Sequence, residues 1–81
     1  MTIRIKLFAG LADAAQRREL ELELTNDSTL DEVWNRLTAM HPELLPYSRS
    51  LLKAVNQEFG RPDTIVRDGD EVAFFPPVSG G

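Results

Sequence analysis

Apolar and polar residues alternate twice in the first third of the chain. Over residues 3–8, Ile3, Ile5 and Leu7 share one side, with Arg4, Lys6 and Phe8 on the other. This period of two predicts a strand with one buried face. Residues 18–25 repeat it, with Leu20, Leu22 and Leu24 set against Glu19, Glu21 and Glu23. Between the two runs, the Ala-rich stretch 9–16 places Leu11, Ala14 and Ala15 at the spacing of a short helix or turn. The period then lengthens. Thr29-Leu30-Asp31-Glu32 matches a capping box, in which the Thr oxygen accepts from the third helical amide and Glu32 reaches back. Leu30, Val33, Leu37 and Met40 follow at helical spacing with Trp34 beside them, and His41-Pro42 ends the run. Residues 43–50, with Pro46 and two Ser, read as an irregular crossing. Residues 51–59 return to strand character around a turn or bulge at Asn56-Gln57, and Ile65-Val66 form a short strand. Asp68-Gly69-Asp70 makes a turn. The last strand is Glu71 to Phe75, with Val72 and Phe74 inward and Ala73 and Phe75 outward, and Pro76-Pro77 stops it.

Two strands, one long helix and two or three more strands predict an α+β domain of two layers. A β-grasp arrangement satisfies the order: four to five strands in one sheet, the main helix across one face. Periodicity leaves open whether the first strand pairs with the last. Eighty-one residues allow one domain. It is expected over 1–75, with 76–81 a flexible tail ending in Gly-Gly.

Composition removes several functions. The chain has no cysteine, so disulfides, thiol nucleophiles and thiolate metal sites are excluded. A net charge of −4 with no Lys/Arg cluster disfavours nucleic acid and anionic membranes. No apolar run reaches the ~20 residues of a membrane span, and Met1 to Lys6 lacks a signal-peptide stretch, so a cytoplasmic location is expected. One His and scattered carboxylates supply neither a metal-ligand cluster nor a nucleophile–His–acid set. No Gly-rich phosphate loop is present. His41 reads as a helix-end residue and Asp68-Gly69-Asp70 as a turn rather than a calcium loop. The Glu19/Glu21/Glu23 row reads as a solvated strand face, or else as a surface for a basic partner.

Candidate chemistry lies at the other end. No side chain from Ala73 to Gly81 is charged, and the last two positions have no bulk at all. Such a tail can enter a narrow channel, because glycine has no Cβ to obstruct close approach. The carboxylate of Gly81 would be the only reactive group delivered. A carboxylate becomes an acyl donor once joined to AMP, and a sulfur nucleophile could then leave a thiocarboxylate on Gly81. The protein would act as a carrier of one atom. Phe8 and Phe75 both fall on outward faces and Phe59 lies in the connecting strand region, so the three rings are candidates for a docking patch.

The stretch Asp68-Gly69-Asp70-Glu71-Val72-Ala73-Phe74-Phe75-Pro76-Pro77-Val78-Ser79-Gly80-Gly81 resembles the ending of the molybdopterin synthase small subunits, the sulfur carriers of molybdenum cofactor synthesis. Ala54-Val55-Asn56-Gln57 and Lys6-Leu7-Phe8-Ala9 also fit that family's pattern. The resemblance implies a ubiquitin-like β-grasp fold with a mixed sheet. It implies that a ubiquitin-activating-like adenylyltransferase uses ATP to adenylate Gly81, and that a sulfur donor enzyme converts it to the thiocarboxylate. No cofactor or metal would be bound permanently. The tail, with Gly80 threading and Pro76, Pro77, Val78 and Ser79 in contact, would enter the large synthase subunit. There, two carriers in succession would give sulfur to cyclic pyranopterin monophosphate, in a heterotetramer whose small subunit is not catalytic alone. Phe8, Phe59 and Phe75 match the family's apolar docking surface. Two other readings use the same activated end: a ubiquitin-type modifier that forms isopeptides through Gly81, and a sulfur carrier for thiamine or tRNA. The remaining alternative is an acidic interaction domain with an incidental ending.

Overall fold

The computed structural model describes residues 1–77. Strand β1 spans Thr2–Leu7 and buries Ile3, Ile5 and Leu7 as the alternation requires. Helix α1 (Gly10–Ala15) turns the chain back into β2 (Glu19–Glu23), which pairs antiparallel with β1. A two-residue strand β3 (Ser28–Thr29) leads into helix α2 (Leu30–Met40). Both halves of the capping box are formed: the Glu32 amide donates to Thr29 Oγ1 at 3.1 Å, and the Thr29 amide donates to Glu32 Oε1 at 2.9 Å.

Two expectations about this region are corrected. Met40 does not join the buried stripe but is exposed, whereas Trp34 lies within the stripe. The buried residues are Leu30, Val33, Trp34, Leu37 and Thr38. On a helix of 3.6 residues per turn, that face next passes through position 41, and Met40 falls at its margin. Residues 42–50 are not irregular but form a 3-10 helix, Pro42–Ser50. Pro42 stands in its first turn, where the missing amide hydrogen costs nothing. This segment buries Leu44, and Ser48 Oγ accepts the Trp34 Nε1–H at 2.9 Å. At its start, Glu43's own backbone amide holds its carboxyl below the ordinary carboxylate range, with His41 adding to the effect.

The remaining strands are β4 (Leu52–Val55), β5 (Glu58–Phe59), β6 (Ile65–Val66) and β7 (Glu71–Phe75). The main sheet has the order β2-β1-β7-β4-β5, and β3 and β6 form a separate two-stranded sheet. Among the described residues only β1 and β7 run parallel; the other pairs are antiparallel. The main sheet is therefore mixed, with the first and last strands side by side at its centre. This is the ubiquitin-like β-grasp arrangement.

The core lies between the sheet and the helices. Ile3, Ile5, Leu7, Leu22, Val72 and Phe74 meet Leu11, Leu30, Val33, Trp34 and Leu37 there. The Trp34 and Phe74 rings pack edge to face with centroids 5.0 Å apart. Fully burying one such side chain stabilises by ~1.5–3 kcal/mol, so this one layer outweighs any surface contact of the domain. No helix among the described residues is long and apolar enough to cross a membrane.

Candidate functional site

The sheet face turned away from the helices holds the candidate site. Antiparallel partners point the same way, so the register Ala54↔Phe59, Ala54↔Ala73 and Leu52↔Phe75 puts these residues on one surface. Ala73 also pairs with Lys6, and Phe8 follows β1 with the same phase. Four strands, β1, β7, β4 and β5, thus converge on an apolar half-face.

Phe75 is its centre. Its ring centroid lies 5.8 Å from Phe8 at an interplanar angle of 84°, and 5.8 Å from Phe59 at 67°. Both geometries are edge to face, the favoured arrangement for aromatic pairs. Phe75 is partly buried, while Phe8 is 47% and Phe59 77% exposed. Two rings packed against a third yet left open to solvent are an unusual surface for so small a domain, and such clusters mark interfaces. Between the rings lies a cavity of about 270 Å³, floored by Ala54 and Ala73 and bordered by Lys6, Gln57 and Glu71. The floor is low because both residues facing each other across β4 and β7 are alanine. Ala54 is only 6% exposed although it faces outward.

A hydrogen-bonded turn fixes one border. Asn56, at φ 50°, donates through Nδ2 to Asp70 Oδ1 at 3.0 Å and accepts the Glu71 amide on Oδ1 at 3.0 Å. Asp70 Oδ2 accepts the Arg67 amide at 2.7 Å, closing the turn at Gly69. Gly69 sits at φ 84°, a conformation that favours glycine.

The other half of the face is charged. Glu71 meets Arg4 at 3.6 Å and Lys6 at 3.4 Å, and Lys6 also reaches Glu19 at 3.8 Å. Glu71 is partly covered, while Arg4 and Glu19 are open to solvent, and each pair is worth about 1 kcal/mol. Beyond them stand Glu21, opposite Arg4 in register, and Glu23, which accepts from the Thr2 hydroxyl. Lys6 and Phe8 also line a larger open hollow of about 720 Å³ with Asp13, Arg18 and Glu19.

The structure brings together the three rings singled out in the sequence, Phe8, Phe59 and Phe75. Pro76, partly buried, and Pro77, exposed, come directly after, so the chain leaves the body beside the aromatic patch. Val78, Ser79, Gly80 and Gly81 lie outside the described residues. In the sequence, Ala54 and Asn56 show only as part of a family pattern and a turn, not as members of the site. Ala54 lay one alternation step from a visible strand pattern, but its partner Ala73 belongs to a strand 19 residues away, and only the pairing unites them. Among the described residues, no group of three His, Asp or Glu side chains gathers to hold a metal ion.

Comparison with known proteins bears on this arrangement. The model of the ThiS family matches residues 5–81. The molybdopterin synthase sulfur carrier subunit of Chlamydomonas reinhardtii is 35% identical over 83 residues, covering all of both chains. The crystal structure of SAMP1 from Haloferax volcanii superimposes with a TM-score of 0.86 at 32% identity, again over the whole of both chains. A chain of the protein-protein complex of subunits 1 and 2 of the molybdopterin-converting factor from Helicobacter pylori shares the fold, with a TM-score of 0.70 at 20% identity over the whole of both chains. The three rings, the mixed sheet and the Gly-Gly ending therefore sit in a chain that belongs to the ThiS family, alongside the molybdopterin synthase sulfur carrier subunits.

Proposed function

We propose that this protein is the sulfur-carrier subunit of a molybdopterin synthase. The observation that carries the proposal is the placement of the aromatic patch where β7 ends, so that a partner gripping Phe8, Phe59 and Phe75 also receives the chain beyond Pro77. The likeness to the Chlamydomonas carrier supports it along the whole chain, and the Helicobacter pylori complex is a relative of the same fold seated on a second subunit.

The chemistry starts at Gly81. Its carboxylate oxygen attacks the α-phosphorus of ATP on an activating adenylyltransferase, releasing pyrophosphate and leaving an acyl-adenylate. Hydrosulfide released by a donor enzyme attacks the acyl carbon and expels AMP, which leaves the thiocarboxylate. The docking face then fixes the small subunit on the large one, and Pro76 to Gly80 thread the sulfur into its active site. Holding the sulfur beside its acceptor replaces a bimolecular encounter with an oriented one. Sulfur passes to cyclic pyranopterin monophosphate, hydrolysis returns the Gly81 carboxylate, and a second carrier repeats the step to complete the dithiolene. The small subunit supplies the sulfur and the grip; the large subunit supplies the catalytic groups. ATP is consumed on the activating enzyme, and the cytoplasm is where we place the cycle.

Intact-mass analysis tests this directly. After incubation with ATP, an activating enzyme and a sulfide source, the chain gains the mass of one oxygen-for-sulfur exchange, mapped to Gly81. An unchanged mass, or molybdopterin formation undiminished when Gly81 is deleted, contradicts the proposal. A second reading is favoured by the likeness to SAMP1 and to the Haloferax volcanii relative named small archaeal modifier protein 1. In that case a lysine amine, not sulfur, attacks the acyl group, and isopeptide-linked adducts ending in Gly81 appear in cells.

A further inference from the structure

We infer that the docking face selects a partner whose apolar contact is flanked by cations, drawn in by the carboxylates of β2. This rests on the proposed docking role of the three rings and specifies the partner's charge. The outward sheet surface has two halves that meet at Lys6 and Glu71, both of which line the aromatic cavity. On the charged half stand four carboxylates, Glu19, Glu21, Glu23 and Glu71, against two cations, Arg4 and Lys6, while Asp13 and Arg18 offset each other in the adjoining hollow. The cations are spoken for within the face. Glu71 takes both Arg4 and Lys6, and Lys6 also serves Glu19. Glu23 has the Thr2 hydroxyl. Glu21 is exposed and has no ion pair among the described residues, although Arg4 is its register partner. A surplus of negative charge thus borders an open apolar patch on one continuous surface. A partner that covered the rings with an acidic or neutral rim would meet repulsion or desolvate these carboxylates without compensation. A basic rim gains from both and is steered into register before the rings touch. Charges placed on β2 only to protect an open sheet edge would have no effect on partner association.

Stopped-flow association with the large synthase subunit from the same source tests the inference, between about 0.05 and 0.3 M salt. Glu21→Gln lowers the association rate constant about twofold at low salt and Glu21→Lys about fivefold or more; both differences shrink at high salt, with dissociation unchanged. Phe59→Ala, by contrast, raises the dissociation rate. If Phe59→Ala weakens binding but Glu21→Lys associates like the parent at every salt concentration, the docking reading stands and this inference falls. If Phe59→Ala also binds like the parent, the docking reading falls and takes the inference with it.

Discussion

Ala9 shows how a single residue can be set against its backbone. The Leu11 amide donates to the Phe8 carbonyl at 3.1 Å, closing a turn whose first inner residue, Ala9, has φ 52° and ψ −128°. That is the position where a type II′ turn calls for glycine, and here the glycine comes one residue later, at Gly10. Gln57 is a milder case, at φ 71° in the two-residue loop that joins β4 to β5. Ala9→Gly should stabilise the fold by about 1 kcal/mol, the relief of strain exceeding the added freedom of the unfolded chain. A higher urea midpoint with an unchanged slope is the expected reading, and a lower midpoint counts against strain at Ala9. Alternation along the sequence shows neither strain, because φ at 9 is set by how the chain passes from β1 into α1, and φ at 57 by how β4 turns into β5. The phases of Phe8 and Phe75, on the other hand, were plain from their neighbours, since a strand whose Leu7 or Phe74 points inward has no choice for the next residue.

Among the elements, α2 was the most legible. Its start is written in Thr29 and Glu32, and its buried face in Leu30, Val33 and Leu37. Thr29→Ala should cost about 1 kcal/mol, read from thermal or urea unfolding, because one orphan amide loses its acceptor. A substitution without effect would mean that water serves the amide equally well. The 3-10 helix was not legible, since Pro46 and two serines read as a breaker pattern. Its geometry is selected by Leu44, which is fully buried, and by the Ser48 acceptor for Trp34. Strand β6 was legible in the apolar pair Ile65-Val66, whereas β3 is too short to show a period and exists because it lies beside β6.

For the whole molecule, the two sheet faces divide between core and open surface. Phe74 and Phe75 are consecutive, yet one is sealed against Trp34 and the other anchors the outward patch. Phe75→Ala should therefore leave the fold intact and weaken binding to the large subunit by ~1–3 kcal/mol. Calorimetry paired with far-UV circular dichroism separates the two effects, and parental affinity with native spectra would remove Phe75 as an anchor.

Period and capping chemistry alone determined the strand, helix and strand order, the buried residues of β1, β2 and β7, and the outward phase of Phe8 and Phe75, because each depends on neighbours within a few positions. The terminal run from Asp68 to Gly81 was enough to point to the carrier family. The tertiary structure alone decided that β1 lies parallel to β7, that Ala54 and Ala73 floor a cavity, and that Glu71 draws Arg4 and Lys6 to itself. Residues some 70 positions apart become neighbours only when the core closes, and local alternation holds no information about which strand lies beside which.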